Sequence, residues 1–168
     1  KGASQGQGLG NQFLSHIAEV DAIAHVVRCF EDDQVAHVSG SVEPRHDIEI
    51  VETELALKDL ATVTAALGRL QKAAKGGDKK AAAAVGALDA LTKPLNEGVP
   101  VRRRLPELSA EALEAIGPLH LLTAKPVLYV ANVGEADAAN GSSAQLAAVR
   151  ELAAAQGAGV VVICGVRE

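Results

Sequence analysis

Two apolar runs near the end of the chain, PVLYVA at residues 126–131 and GVVVIC at residues 159–164, decide the class of fold. Near-continuous aliphatic and β-branched runs of this length are typical of strands that are covered on both faces. The segment between them predicts a helix, because Ser142 and Gln145 fit a capping box and Gly157 supplies a left-handed stop. Strand, helix and strand in this order predict a right-handed βαβ unit, and therefore an α/β fold with a largely parallel sheet.

A third strand is predicted upstream, in the run AHVVRCF at residues 24–30. A helix over residues 11–20 precedes it, with Phe13, Leu14 and Ile17 facing inward. These elements assign residues 1–43 and 123–168 to two parts of one α/β domain.

The stretch from 44 to 122 has a helical pattern instead. Two apolar stripes at helical spacing flank the turn KGGDKK at residues 75–80; they are Leu60, Val63, Leu67 and Leu70, and then Ala81, Val85, Leu88, Leu91 and Leu95. The stripes predict an antiparallel helical hairpin, and Ser109 begins a third helix that returns to the sheet. Residues 44–122 are therefore interpreted as an α-helical insertion in the α/β domain.

Charged residues cluster at two places in this insertion. Acidic residues at the start of its first helix are expected to complement the helix dipole; they are Asp47, Glu49, Glu52 and Glu54. A basic run at residues 102–104 is predicted to be a solvated patch, with contact to RNA phosphates as the alternative.

Composition bounds the class of function. The net charge of −5 gives no overall field toward nucleic acid or an anionic membrane, and only three aromatic residues leave little for base stacking. No apolar stretch is long enough to span a bilayer and no signal peptide opens the chain, so a cytoplasmic location without a membrane partner is expected. Cys29 and Cys164 are predicted to be buried reduced thiols. The start at Lys1 rather than methionine predicts a piece of a longer protein.

The tetrapeptide Asn132-Val133-Gly134-Glu135 is the main candidate site, because it is predicted to follow the second strand directly. Ligands of open α/β sheets bind outside the carboxyl ends of the strands. The asparagine amide both donates to and accepts from a purine edge, and the carboxylate of Glu135 accepts from ring or exocyclic N–H groups. Guanine-reading loops have the pattern Asn-Lys-x-Asp, so Val133 and the longer Glu135 weaken guanine selection. An ordinary loop is the alternative.

Two further loops follow predicted strands. The segment Cys164-Gly165-Val166 either places backbone N–H groups against the same base or forms an ordinary strand exit. His37, in the loop after the first strand, either orients or deprotonates an attacking water or is simply solvated. The glycine-rich residues 1–11 are predicted to form a mobile loop rather than a phosphate cradle, because no strand precedes them and no Gly-Lys-Ser/Thr follows.

Metal binding is not predicted anywhere in the chain. The remaining histidines show no mutual spacing for a metal ion and are interpreted as structural or exposed; they are His16, His25, His46 and His120.

Several segments, taken in order, closely resemble the YchF (EngD, Obg-like ATPase) family of P-loop NTPases. They are KGAS and GLGNQFL within residues 1–14, HVVRCF at 25–30, HVSG at 37–40, DIEI at 47–50 and NVGE at 132–135. The resemblance extends over essentially all 168 residues. It implies a partial G-domain core with an inserted helical hairpin, from a parent in which a P-loop precedes residue 1 and a TGS domain follows residue 168.

The same resemblance implies residue roles. The base pocket would be formed by Asn132, Val133 through its backbone, Glu135, Cys164, Gly165 and Val166. Residues 1–11 would be the distal part of switch II, and His37 would replace the usual catalytic glutamine. The nucleotide would be ATP, with GTP possible, and Mg²⁺ is expected in the intact parent only.

The resulting interpretation is the base-recognition part of a monomeric, ribosome-associated ATPase that hydrolyses ATP to ADP when intact and is inactive as this stretch alone. The expected partners are a purine nucleotide and the ribosome or its RNA, without DNA sequence specificity. The competing hypothesis is a non-enzymatic module whose helical hairpin binds ribosome, RNA or protein through its basic tip.

Overall fold

A computed structural model of the chain describes residues 16–31 and 42–165. These residues form an α/β unit, residues 22–31, 42–50 and 126–165, and a helical unit, residues 16–21 and 51–125. Among the described helices, none has both the length and the apolar character that crossing a membrane requires. The prediction of an α/β fold with a separate helical part is confirmed.

The sheet of the α/β unit has three parallel strands in the order β1 (Ile23–Cys29), β2 (Val127–Val133) and β3 (Gly159–Ile163). Cys29 lies in register with Val133, and Asn132 lies in register with Ile163. All three predicted strands are present. Strand β2 runs two residues beyond the predicted apolar run, so that its last two residues are Asn132 and Val133.

The helices in chain order are α1 (Pro44–Lys75), α2 (Lys79–Asn96), α3 (Ala110–Ile116), α4 (Glu135–Asn140) and α5 (Ala144–Ala155). Single turns of 3₁₀ helix lie at Val101–Arg103, Leu105–Glu107, Gly117–Leu119 and Leu122–Ala124. Helix α4 was not predicted. Of the helix expected over residues 11–20, residues 16–19 are helical, and Phe13 and Leu14 lie outside the described residues.

Helix α5 forms the predicted crossover between β2 and β3. Its start differs from the prediction: Ser143, not Ser142, is the N-cap, and its hydroxyl accepts from the Leu146 N–H at 3.2 Å. This shift leaves Gln145 outside the third helical position, where a capping box requires it. Gly157 ends the segment with a φ of 65°, which confirms the predicted left-handed stop.

One face of the sheet packs against α5 and the start of α1. The core of this unit contains buried residues from the three elements, namely Val27, Cys29, Tyr129, Ala131, Val133, Ile48, Leu146, Val149, Leu152 and Ala153. Because Ile48 belongs to this core, the first turns of α1 lie in the α/β unit. Helix α1 begins at Pro44, but it becomes part of the helical unit only from Val51.

The helical unit is built on the predicted hairpin of α1 and α2. Gly77 turns the chain with a φ of 92°, and Asp78 caps α2 by accepting from the Ala81 N–H at 3.1 Å. Both predicted stripes face this core, in which the buried members are Val63, Leu67, Leu88, Leu91 and Leu95. Ser109 caps α3 as predicted.

A buried carboxylate fixes the returning segment to the hairpin. Asp59 on α1 is 1% exposed and accepts from the backbone N–H groups of Leu122 and Thr123, each at 2.7 Å. It also accepts from the Thr123 hydroxyl at 2.6 Å, whose oxygen in turn accepts from the Val101 N–H at 3.0 Å. Burial raises the pKa of Asp59, and these hydrogen bonds oppose the rise.

The acidic start of α1 and the basic run at 102–104 differ from their predictions. Glu52 is buried rather than a solvated partner of the helix dipole, and its carboxylate forms an ion pair with the guanidinium of Arg102. Arg103 approaches the same carboxylate at 3.8 Å, and Arg104 pairs with Glu107 at 2.7 Å. A buried charge requires an opposite charge beside it, so Arg102 forms an internal ion pair and the prediction of a solvated patch is wrong for this residue. The side chains of Arg103 and Arg104 are each 43% exposed.

Candidate functional site

The carboxyl ends of the three strands lie side by side at one edge of the sheet. They end at Cys29, Val133 and Ile163, and the parallel registers align them. This edge is where open α/β sheets bind ligands, since the loops that leave neighbouring strands converge there.

The side chain of Asn132 connects the end of β2 to the segment that follows β3. Its half-buried side chain lies at the carboxyl end of β2, and its Oδ1 accepts from the backbone N–H of Gly165, beyond β3, at 3.0 Å. With the oxygen held in this way, the NH₂ group is the part of the amide that is available to donate to a ligand. The structure thus brings together two sequence-predicted residues that are 33 positions apart.

Gly165 is packed closely against this amide. A Cβ atom at position 165 would lie 3.3 Å from Oδ1 and 3.4 Å from Nδ2 of Asn132. The shorter separation is tighter than most van der Waals contacts, so a Cβ atom at position 165 would require the asparagine side chain to shift by a few tenths of an ångström. Glycine at this position therefore keeps the amide against the sheet edge.

Val133 and Glu135 are placed in different environments. Val133 is the last residue of β2 and is 1% exposed, since its side chain belongs to the core. The prediction that Asn132 and Val133 lie in a loop is wrong, because this core contact continues the strand. Gly134 is the N-cap of α4, and Glu135 is the exposed first residue of that helix, where a carboxylate is favoured.

Arg28 was missed by the sequence-based reasoning. Arg28 lies on β1, in register with Asn132 on β2. Its Nε donates to the Phe30 carbonyl at 2.9 Å, and its guanidinium lies 4.9 Å from the centre of the Phe30 ring. These contacts fix the direction in which the chain leaves β1. A single charged residue inside an otherwise apolar strand was the signal that could have identified it.

The remaining predicted site residues are only partly described. Cys164 is half-buried next to Gly165 and is a free thiol, whereas Cys29 is fully buried. Burial raises the pKa of Cys29 to about 11, so this thiol is not a nucleophile at neutral pH. His37 and Val166 lie outside the described residues. Within the described part of the chain, no group of three or more histidine, cysteine, aspartate or glutamate residues is arranged to hold a metal ion.

No protein-family model matches the chain, but individual proteins do. The chain is 51% identical over 168 residues to a protein of Escherichia coli O157:H7 named ribosome-binding ATPase YchF. The match covers 100% of the chain and 45% of that protein. The protein of the same name from Bacillus subtilis (strain 168) is 47% identical over 165 residues, which cover 98% of the chain and 44% of that protein.

A solved structure extends the comparison to the fold. The YchF GTPase of Schizosaccharomyces pombe is 34% identical and superimposes with a TM-score of 0.79, covering 95% of this chain and 44% of that one. The likeness confirms the predicted fold class, a partial P-loop NTPase core with an inserted helical hairpin. The chain therefore spans less than half the length of the relatives that it matches.

Proposed function

The chain matches the central part of the YchF proteins, and on this basis we propose that it carries the base-recognition side of a purine-nucleotide site. The observation that supports this most directly is the hydrogen bond from the Gly165 N–H to Asn132, because it links the end of β2 to the segment after β3 at the carboxyl edge of the sheet. The proposed site consists of Asn132, Val133, Glu135, Cys164, Gly165 and Val166.

The chemistry of these groups favours adenine. One edge of adenine presents a ring-nitrogen acceptor next to an amino donor, whereas guanine presents two acceptors on that edge. The NH₂ group of Asn132 is suited to the ring nitrogen, and the carboxylate of Glu135 accepts from the amino group. We propose ATP as the nucleotide, with GTP as a weaker alternative. The fit is limited to the base, and Val133 contributes only through its backbone.

Hydrolysis is proposed for a longer protein of which these 168 residues would form the central part, and not for the 168 residues alone. The sequence contains no Gly-x-x-x-x-Gly-Lys-Ser/Thr, and in P-loop enzymes this segment, its lysine and Mg²⁺ supply most of the stabilisation of the transferred phosphoryl group. The chain alone should therefore neither hydrolyse ATP nor bind it tightly. ATP turnover by the purified 168-residue chain would contradict the proposal that hydrolysis requires the longer protein.

His37 is proposed to order the attacking water in the longer protein. An imidazole can orient a water molecule or accept a proton from it near neutral pH. His37→Ala should lower turnover and leave ATP affinity nearly unchanged. Reduced affinity with normal turnover would assign the residue to binding instead.

Ribosome binding is proposed for the longer protein from the names of the relatives. A cytoplasmic location and a monomeric state complete the proposal. The competing function is a non-enzymatic interaction module centred on the helical hairpin. This alternative relies on the basic tip of the hairpin, where Lys75, Lys79 and Lys80 are exposed.

A protection experiment separates the two functions. ATP should raise the melting temperature of the longer protein, and Glu135→Ala should abolish that shift, since it removes the acceptor for the adenine amino group. Glu151→Ala is a matched control, because Glu151 is an exposed glutamate on α5 that lies beside Arg45 at 3.8 Å and is not part of the proposed base site. If nucleotide changes nothing while ribosomal RNA binds the 168-residue chain, the interaction module is the correct reading.

A further inference from the structure

A groove of about 490 Å³ crosses the end of the helical hairpin. It is bounded by the last turns of α1, the first turns of α2 and one side of α3. This place is independent of the sheet edge and of the proposed nucleotide function, since all of its lining residues belong to the helical unit.

The floor of the groove is apolar and mostly small. Ala81 and Ala84 are buried there, and Leu70 and Pro118 extend the apolar surface at either end. The distance between two packed helices is set by the side chains at their contact, so an alanine floor admits the close approach of another helix that carries large apolar residues.

The two walls of the groove carry opposite charges. Lys79 and Lys80 stand on the α2 side, and Glu111 and Glu114 stand on the α3 side, all four exposed. Asp78 also lines the α2 side, where its carboxylate caps α2 by accepting from the Ala81 N–H. A hydrogen bond with Ser109 lowers the pKa of Glu111, so its side chain is ionised at neutral pH. A nucleic-acid backbone is uniformly negative and would be repelled by the glutamate wall. A protein helix with basic residues on one flank and acidic residues on the other complements both walls.

We propose that this groove binds an amphipathic α-helix of a partner protein, with large apolar side chains over the alanine floor and flanks of opposite charge facing the lysine and glutamate walls. Recognition of a helix in a groove through residues at helical spacing is a common mode of protein binding. The occupant is a segment of another protein because a helix can present opposite charges on its two flanks to the lysine and glutamate walls, whereas an RNA backbone is uniformly negative.

The probe is a helix-stabilised synthetic peptide of about 18 residues with a leucine stripe, lysines on one flank and glutamates on the other. Two control peptides keep the leucines but carry only lysine or only glutamate on both flanks. The 168-residue chain should bind the mixed peptide about tenfold more tightly than either control at low ionic strength, as measured by fluorescence anisotropy.

Variants of the groove test whether binding occurs there. Ala83→Leu fills the groove from an exposed position and should lower the affinity of the chain for the mixed peptide by about tenfold. Ala82→Leu is its matched control, because Ala82 is the exposed neighbour outside the groove lining. The double variant Glu111→Lys with Glu114→Lys makes both walls basic and should transfer the preference to the all-glutamate peptide. Asp89→Lys, exposed on α2 outside the lining, should not.

Several results would overturn the proposal. Equal affinity for the three peptides, or no binding of any, would remove the charge argument. Equal binding by Ala83→Leu and Ala82→Leu, with circular dichroism showing both folded, would place the peptide elsewhere. Displacement of the mixed peptide by a short duplex RNA, lost in the double variant Lys79→Ala with Lys80→Ala, would identify nucleic acid as the occupant instead.

Discussion

At the scale of single residues, the contact between Gly165 and Asn132 governs the proposed base site. A methyl group at position 165 would lie 3.3 Å from Oδ1 and 3.4 Å from Nδ2 of the amide and would shift it from its present hydrogen-bond geometry. Gly165→Ala should therefore weaken ATP binding by the longer protein by about tenfold, or ~1.4 kcal/mol. Isothermal titration with ATP measures this loss.

A second glycine provides the control for that substitution. A Cβ atom at Gly86, inside α2, meets nothing within 4 Å. Gly86→Ala should leave ATP binding unchanged and stabilise the helix by roughly 0.5–1 kcal/mol, because alanine has the higher helix propensity. Unchanged ATP affinity in Gly165→Ala would mean that the orientation of Asn132 is unimportant for the nucleotide.

The two cysteines should differ sharply in reactivity. Burial raises the pKa of Cys29 to about 11, so only about one molecule in a thousand carries this thiolate at pH 8. Cys164 is half-buried at the proposed base loop and should be alkylated by iodoacetamide while Cys29 is not. Peptide mass spectrometry after alkylation at pH 8 distinguishes the two sites.

Two further measurements complete the cysteine experiment. Cys164→Ser should leave no rapidly alkylated thiol in the folded chain, and urea should then expose Cys29. In the longer protein, ATP should slow the alkylation of Cys164. Rapid alkylation of Cys29 in the folded chain would show that the sheet core opens readily.

At the scale of elements, the sequence located the strands and long helices because each carries its own periodic pattern. The apolar runs of β1, β2 and β3 and the stripes of α1 and α2 are local signals. The exact end of β2 is not local: Val133 continues the strand because its side chain enters a core made by α5 and α1. For the same reason the candidate site was placed at the correct sheet edge but described as a loop.

Charged residues were the least predictable from local sequence. Glu52 and Arg102 are 50 positions apart, so neither the helix start nor the basic run revealed that they pair. Asp59 lies within an apolar helical stripe. Nothing nearby in the sequence indicates that its carboxylate accepts hydrogen bonds from the backbone at residues 122–123. A buried carboxylate inside such a stripe signals a distant partner, but only the fold identifies it.

Asp59 provides a test of how the hairpin holds the returning segment. Asp59→Asn keeps the size of the side chain but replaces one acceptor oxygen by an NH₂ group. This group then faces either the Leu122 N–H, which donates to Oδ1, or the Thr123 N–H, which donates to Oδ2. The change should lower the free energy of unfolding by about 2–4 kcal/mol. Urea denaturation followed by circular dichroism measures it.

The exposed aspartate Asp89 on α2 serves as the comparison for Asp59. Asp89→Asn should change the free energy of unfolding by less than about 0.5 kcal/mol. If the two variants were equally stable, the hydrogen bonds of Asp59 would contribute nothing beyond those that water supplies.

At the scale of the whole molecule, the two faces of the sheet are unequal. The face opposite α5 leaves aliphatic side chains accessible, with Val26 61% and Val161 45% exposed, whereas Val27 on the covered face is 2% exposed. Parallel strands are ordinarily covered on both faces. An accessible apolar face of this kind favours association with other apolar surfaces.

We therefore expect the 168-residue chain to bind the dye ANS and to self-associate at high concentration. The double variant Val26→Thr with Val161→Thr keeps β-branched residues in the strands and should reduce both effects, while changing the free energy of unfolding by less than about 1 kcal/mol. Val27→Thr, one position along β1 but on the covered face, should instead lower it by about 1–3 kcal/mol, because a hydroxyl enters the core. Light scattering and urea denaturation give the two readouts. Similar losses of stability at positions 26 and 27 would show that both faces are covered in solution.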